Sequence, residues 1–420
     1  MRWRDTLLAL GWMVCQLGCT SCREEEADRA TPRKEDAPQA TSTLSRIAAP
    51  FAKATREFGL DLYQELASTS PGNVAISPAS ISIAFAMASA GARGGTREQM
   101  TRVLHLSGTR DDVAASAAGL LSSLNALNAG GTTLRVGNGL FVDTGFRLEP
   151  AFAQAMRRDF RAPIETVDFV KGPEKSRKLI NARVASQTAQ HIRDILPEGS
   201  VDSTTRLVLT NAVYFFGSWA TPFEKRATKD GDFYANGRTA QRVPMMVQYD
   251  KFGYAEADGA QVLEMPYAGN AVSMLVVLPD ERDGLRAVEE ELTTERLEGW
   301  LQKLRKVKAH IRLPRFSLHT STELRQSLEK LGMVLAFDAR AEFGSMSASG
   351  GLRLDEAYHQ VVVRMDEKGT TAAAATAAAA KKSASRKEVR FNADHPFLFA
   401  IRHRASGTLL FLGRVMAPGQ

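Results

Sequence analysis

Cysteine is almost missing from this chain. Three occur in 420 residues, at Cys15, Cys19 and Cys22, and none in the 398 that follow. A disulfide-stapled scaffold is therefore excluded. No apolar run reaches the roughly 18 residues that cross a bilayer, which excludes a multi-pass membrane protein. Histidine is sparse, with seven scattered residues and no HExxH pair. The dipeptide Gly-Lys never occurs, so there is no GxxxxGK phosphate loop, and no GxSxG nucleophile elbow is present. Gly137-Asn138-Gly139 opens like a dinucleotide fingerprint, but Val142 stands where its third glycine belongs. The charge excess is small: 54 basic against 47 acidic residues, a formal +7. The densest basic stretch, Lys303 to Arg315, has no interleaved aromatics and reads as a solvated face, not a nucleic-acid track. Nothing here points to an enzyme, a cofactor or a metal.

What is present is ordinary globular composition, 44% hydrophobic and 24% charged. The chain starts differently. Arg2 and Arg4 precede a short apolar run from Thr6 to Val14, the anatomy of an export signal over 1–22. Gly18-Cys19 resembles the end of a bacterial lipobox, with Gln16 and Leu17 departing from the usual residues; Cys22 is a second candidate for lipidation. Cys19 and Cys22 also spell CxxC, but no second cysteine pair or histidine cluster follows to make a metal or redox site. Residues 23–50 carry many charges, three prolines and almost no large apolar side chain. Such a segment reads as an extended tether. The expected location is outside the cell or on a lipid anchor at a bacterial envelope.

From Phe51 the composition turns globular and stays so to the end, which predicts one large unit over 51–420. Phe51 to Leu66 and Ile81 to Ala90 carry helical spacing, the second opening after Ser77-Pro78. Leu207 to Phe216 is β-branched and aromatic, as in a strand buried on both faces. Val272 to Leu278 and Leu409 to Val415 read as further strands. Helices early and strands late predict an α+β fold.

One segment stands apart. Residues 366–387 read DEKGTTAAAATAAAAKKSASRK. Eight alanines in ten positions favour a helix. Yet the run has no large apolar side to bury, and Gly369 opens it with free backbone. Every side chain from Thr370 to Ala380 is small, so the stretch fits between two existing strands without clashes. The basic, polar Lys381 to Lys387 that follows is what a protease cuts.

These residues resemble the serpin family across 51–420. NVAISPASISIAFAMASAGARGGTREQM (73–100) is similar to that family's helix-B region. LTNAVYFFGSWATPF (209–223) is similar to its central-strand segment, and VPMM (243–246) to the motif that follows it. DEKGTTAAAATA (366–377) resembles the reactive-loop hinge, and FNADHPFLFAI (391–401) the C-terminal signature. The resemblance implies three β-sheets, about nine helices and a reactive-centre loop at about 367–390. It implies a monomeric, non-enzymatic inhibitor that offers its loop to a serine protease, is cleaved, and inserts the loop into its central sheet.

The hinge pattern maps onto Glu367, Gly369, Thr370, Ala372, Ala373, Ala374 and Ala375, with Thr371 where the family often has Glu. The usual loop length places the reactive bond at Ser383-Ala384, which suits an elastase- or subtilisin-like pocket. A shift of one residue gives Lys382-Ser383 and a trypsin-like one. The polar cluster that controls strand parting maps onto Ser77, Ser80, Asn211 and His359, and the tryptophan near the insertion point onto Trp219. Trapping of papain-like cysteine proteases, and a surface binding protein that uses only the scaffold, are the alternatives.

Overall fold

A computed structural model describes residues 37–128, 131–162, 164–235, 238–368 and 388–419. Cys19, Cys22, Gly369, Thr370, Ala372 to Ala375, Lys382, Ser383 and Ala384 lie outside the described residues. Contacts divide the chain into a unit ending at Ala40 and a compact unit from Thr41 to Gln420.

The helices among the described residues are α1 (Ala37–Thr69), α2 (Pro78–Gly91), α3 (Gly94–Val103), α4 (Arg110–Ala126), α5 (Pro150–Asp159), α6 (Pro173–Gln187), α7 (Leu285–Glu290), α8 (Thr294–Lys303) and α9 (Arg325–Lys330). The strands are β1 (Val74–Ile76), β2 (Thr132–Asp143), β3 (Ile164–Val167), β4 (Leu207–Gly217), β5 (Lys229–Phe233), β6 (Gln241–Ala257) and β7 (Ala260–Pro266). They continue as β8 (Val272–Pro279), β9 (Arg305–Pro314), β10 (Phe316–Glu323), β11 (Glu356–Met365), β12 (Val389–Asn392), β13 (Phe397–His403) and β14 (Leu409–Val415).

Two ladders organise them. One is five-stranded in the order β10-β11-β4-β2-β3. The other runs β1-β14-β13-β8-β7-β6-β9-β12, with β5 also on β6. The two smaller sheets expected from the resemblance are continuous here because β6 is long enough to serve both. Its residues 245–254 pair with β9, and 253–257 pair with β7.

α1 starts earlier than the tether reading allows. Residues 37–50 belong to this helix, with Pro50 inside it. Proline removes one helical bond there, but Ala48 is buried, and a Cβ at Gly119 of α4 would meet Ile47 at 3.4 Å. Packing against α4 outweighs the local penalty.

The five-stranded sheet positions the site because both of its faces are covered. On β4, Leu209, Val213 and Phe215 enter the main core, whereas Val208 and Ala212 enter a second cluster with Ile180 and Val184 of α6. This is the period-two pattern of a strand with no solvent face. α2 lies under the first face and is buried along nearly its whole length. α6 covers the other.

Candidate functional site

The five-stranded sheet has two parallel pairings, a short one of β2 with β3 at its edge and a long one at its centre. β4 and β11 are adjacent and parallel, in register from Glu356 opposite Val208 to Val363 opposite Phe215. The other pairs made by β10 with β11 and by β2 with β4 are antiparallel. Across the middle runs a single polar row. Asn138 on β2 stands opposite Asn211 on β4, and Asn211 stands opposite His359 on β11.

That row is joined to α2 from below. The backbone N–H of Ser77, the residue that precedes α2, donates to His359 Nε2 at 3.0 Å. His359 Nδ1 lies against Asn211 Oδ1. A donor on Nδ1 and an acceptor on Nε2 define one neutral tautomer. The Asn211 amide then donates to Ser80 Oγ and to Asn138 Oδ1. Every polar atom of the Asn211 and His359 side chains is used in this arrangement. Burial pushes the His359 pKa down to about 3. A charged imidazole would lie in a dry site and confront the Ser77 N–H with a second donor.

The second part of the site is where β11 ends. Trp219 Nε1 donates to the carbonyl of Asp366 at 3.0 Å, and the Phe223 N–H donates to the carbonyl of Glu367 at 2.8 Å. The indole stacks on buried Tyr267, with ring centroids 4.4 Å apart and an angle of 12°. Glu367 itself is 2% exposed. Its carboxylate accepts from Thr228 Oγ1 at 2.8 Å and pairs with Arg315. Burial opposes that charge, but these donors outweigh it and hold the carboxyl below its ordinary range. The chain is thus gripped at 366 and 367, directly before the small-residue run.

Ser77, Ser80, Asn211 and His359 are brought together as one network, and Trp219 and Glu367 form a second. Asn138, Thr228 and Arg315 complete these networks and were not singled out by sequence reasoning. The Gly137-Asn138-Gly139 triplet was a usable signal. A Cβ at Gly139 would meet the Phe141 ring at 2.4 Å and Thr210 Oγ1 at 2.8 Å, so this glycine permits close packing around the asparagine. Thr228 and Arg315 carry no motif. Among the described residues no group of three or more His, Cys, Asp or Glu is placed to hold a metal, and no helix is long and apolar enough to cross a membrane.

The geometry is thus a central parallel strand pair cross-linked by buried polar groups, followed by a segment anchored at Asp366 and Glu367. The Serpin (serine protease inhibitor) family profile matches residues 53–418. The leukocyte elastase inhibitor of Bos taurus is 40% identical over 377 residues, spanning 88% of this chain and 99% of that protein. The leukocyte elastase inhibitor of Homo sapiens is 38% identical over 378 residues, with the same coverage. The crystal structure of uncleaved ovalbumin superposes with a TM-score of 0.80 at 28% identity, covering 89% of this chain and all of that one. The chain belongs to the serpin family and has its α+β fold.

The buried histidine fixes a pH dependence. Its folded pKa of about 3 lies below its ordinary 6.5, so the unfolded chain binds the extra proton between these values. The contribution of His359 to stability is complete above pH 6.5 and is lost as pH falls toward 3. Glu356, raised to about 7 by burial and then by Glu323, acts with opposite sign between 4.5 and 7. It is present in both proteins of a comparison and cancels in their difference. Wild type should exceed His359→Gln by about 1–3 kcal/mol at pH 8, the cost of unpairing buried partners. That margin should shrink steadily below pH 6.5 in denaturant melts. A margin independent of pH contradicts the neutral, locked imidazole.

Proposed function

We infer that this chain inhibits serine proteases as a suicide substrate. The observation that carries the reading is the position of the hinge. β11 borders the seam with β4 and ends at Met365; the gripped pair Asp366-Glu367 comes next, and the small-residue run follows it in the sequence. A strand that turned back from Glu367 into that seam would run antiparallel to both neighbours. The protease serine oxygen attacks the carbonyl of the reactive bond, the amine of the next residue leaves, and an acyl ester joins the two proteins. Loop insertion then carries the ester away from the encounter site and distorts the protease before water can attack. A displacement of about 1 Å in a catalytic site can cost roughly 100-fold in rate.

Ser383-Ala384 supports an elastase- or subtilisin-like target, and the relatives named leukocyte elastase inhibitor agree with a small pocket. Lys382-Ser383 supports a trypsin-like one. Arg2, Arg4, the apolar run and Gly18-Cys19 support export, with Cys19 or Cys22 as a bacterial lipid attachment and 23–50 as the spacer. Fatty-acid labelling that persists in a Cys19→Ser, Cys22→Ser double variant contradicts the anchor.

Incubation with elastase, trypsin, subtilisin and papain, followed by denaturing electrophoresis, tests the trapping. A covalent complex should form with at least one serine protease, and the mass of the released C-terminal peptide should show Ala384 or Ser383 at its start. Thr370→Arg should abolish the complex and leave the loop cleaved, because insertion would bury an unpaired charge. Unchanged trapping by that variant contradicts insertion. A complex with papain alone assigns the cysteine-protease alternative, and none with any enzyme assigns the scaffold-only one.

A further inference from the structure

The basic stretch that sequence analysis set aside as a solvated face is β9. The strand's alternation places Lys306, Lys308 and His310 on one exposed side. The register adds Lys251 and Tyr249 of β6, opposite Lys308 and His310, and Arg390 of β12, also opposite His310. Tyr249 is 42% exposed. The six residues cover three adjacent strands, an area of about 10 by 13 Å from ordinary strand spacings.

This face breaks a rule of sheet stability. Lys251 and Lys308 are directly opposite cations on neighbouring strands, a destabilising arrangement. No described residue forms an ion pair with Lys251, Lys306, Lys308 or Arg390. Nearby cations are treated differently: Lys303 pairs with Asp258 at 3.5 Å and Arg242 with Asp232 at 3.0 Å. The carboxylate of Glu388 is engaged by the Tyr249 hydroxyl at 3.0 Å. Protection of a sheet edge explains only part of the pattern. β12 covers β9 only from Ala309 to Arg312, so Lys306 and Lys308 stand on an open edge, but Lys251 sits on β6, one strand inside it. An unrelieved local conflict of this kind marks a functional surface.

Its place in the chain says what it meets. Arg390 is six positions after Ala384, at most about 20 Å of extended backbone. A protease domain of ordinary size is about 40 Å across. An enzyme seated on the reactive bond therefore overlaps this face on the side that holds the residues after the cut. An exposed tyrosine and an arginine are residue types enriched at interfaces, and the lysines around them add a field that acts on encounter.

We propose that the exposed face of β6, β9 and β12 is a secondary docking surface for the target protease, selecting enzymes with acidic side chains on the leaving-group rim of the active-site cleft. This rests on the trapping reading above. The surface acts on encounter, where complementary charge raises association rates by about 10- to 1,000-fold, and leaves the chemistry of cleavage unchanged.

Lys308→Glu is the informative variant, because it replaces a like-charge pair with an attractive one and should fold at least as stably as wild type. Rates of covalent complex formation are measured for wild type, Lys308→Glu and Lys251→Glu/Lys308→Glu against proteases with acidic and with basic cleft rims. With the acidic enzymes the double variant should associate at least about 10-fold more slowly at low ionic strength, and the gap should close as salt rises. Inhibition stoichiometry and the cut bond should not change. Equal rates for all three proteins overturn the docking surface while trapping stands. Slowing seen only when heparin is added assigns the face to a polyanion and overturns the protease assignment. A wild type that traps none of the enzymes overturns both readings.

Discussion

The structure depends on the contact between two parallel strands. β4 and β11 meet along their length with a less favourable hydrogen-bond geometry than antiparallel strands have. A strand inserted between them would replace one parallel ladder with two antiparallel ones. Each new backbone bond is worth about 1 kcal/mol net, so a dozen residues contribute on the order of 10 kcal/mol. The small side chains from Thr370 to Ala380 bring no bulk into a sheet covered on both faces. The described arrangement is then a folded state with a better one within reach of its own chain.

Two buried networks hold the seam closed, and they differ in kind. In the middle, His359 and Asn211 join the strands to each other and to α2 through Ser77 and Ser80. The bond between His359 Nδ1 and Asn211 Oδ1 is the one in this network that crosses the seam, so parting the strands leaves a buried donor and a buried acceptor unpaired. At the end, Trp219, Phe223, Thr228 and Arg315 grip Asp366 and Glu367. The Arg315 side chain is 46% exposed, which makes this the softer of the two locks. A loop entering from the hinge meets the end network first and the histidine row later.

Much of this was legible in the sequence because it depends on local pattern. β4, β8 and β14 follow the apolar runs from Leu207, Val272 and Leu409 nearly residue for residue. α2 opens at the proline that signalled it. Ser77, Ser80, Asn211 and His359 were identified through family motifs; their hydrogen-bond geometry was not foreseeable, since it unites positions 282 residues apart. Asn138 looked like part of a failed glycine fingerprint, and its glycines serve packing instead. Thr228 and Arg315 lie at unremarkable positions, just before β5 and just after β9, and gain a role only where the fold brings them to Glu367. α1 includes Ala48, whose tertiary burial overrides there a composition that reads as tether.

The central claim is that loop insertion releases free energy stored in an incomplete sheet. It is tested by thermal unfolding before and after a single cut between residues 371 and 387, made by a protease that the chain does not trap. Roughly 10 kcal/mol in a domain of this size corresponds to a rise in Tm of about 10–15 °C. The account predicts that rise, with the cut chain still folded. A cut protein that melts where the intact one melts would contradict it.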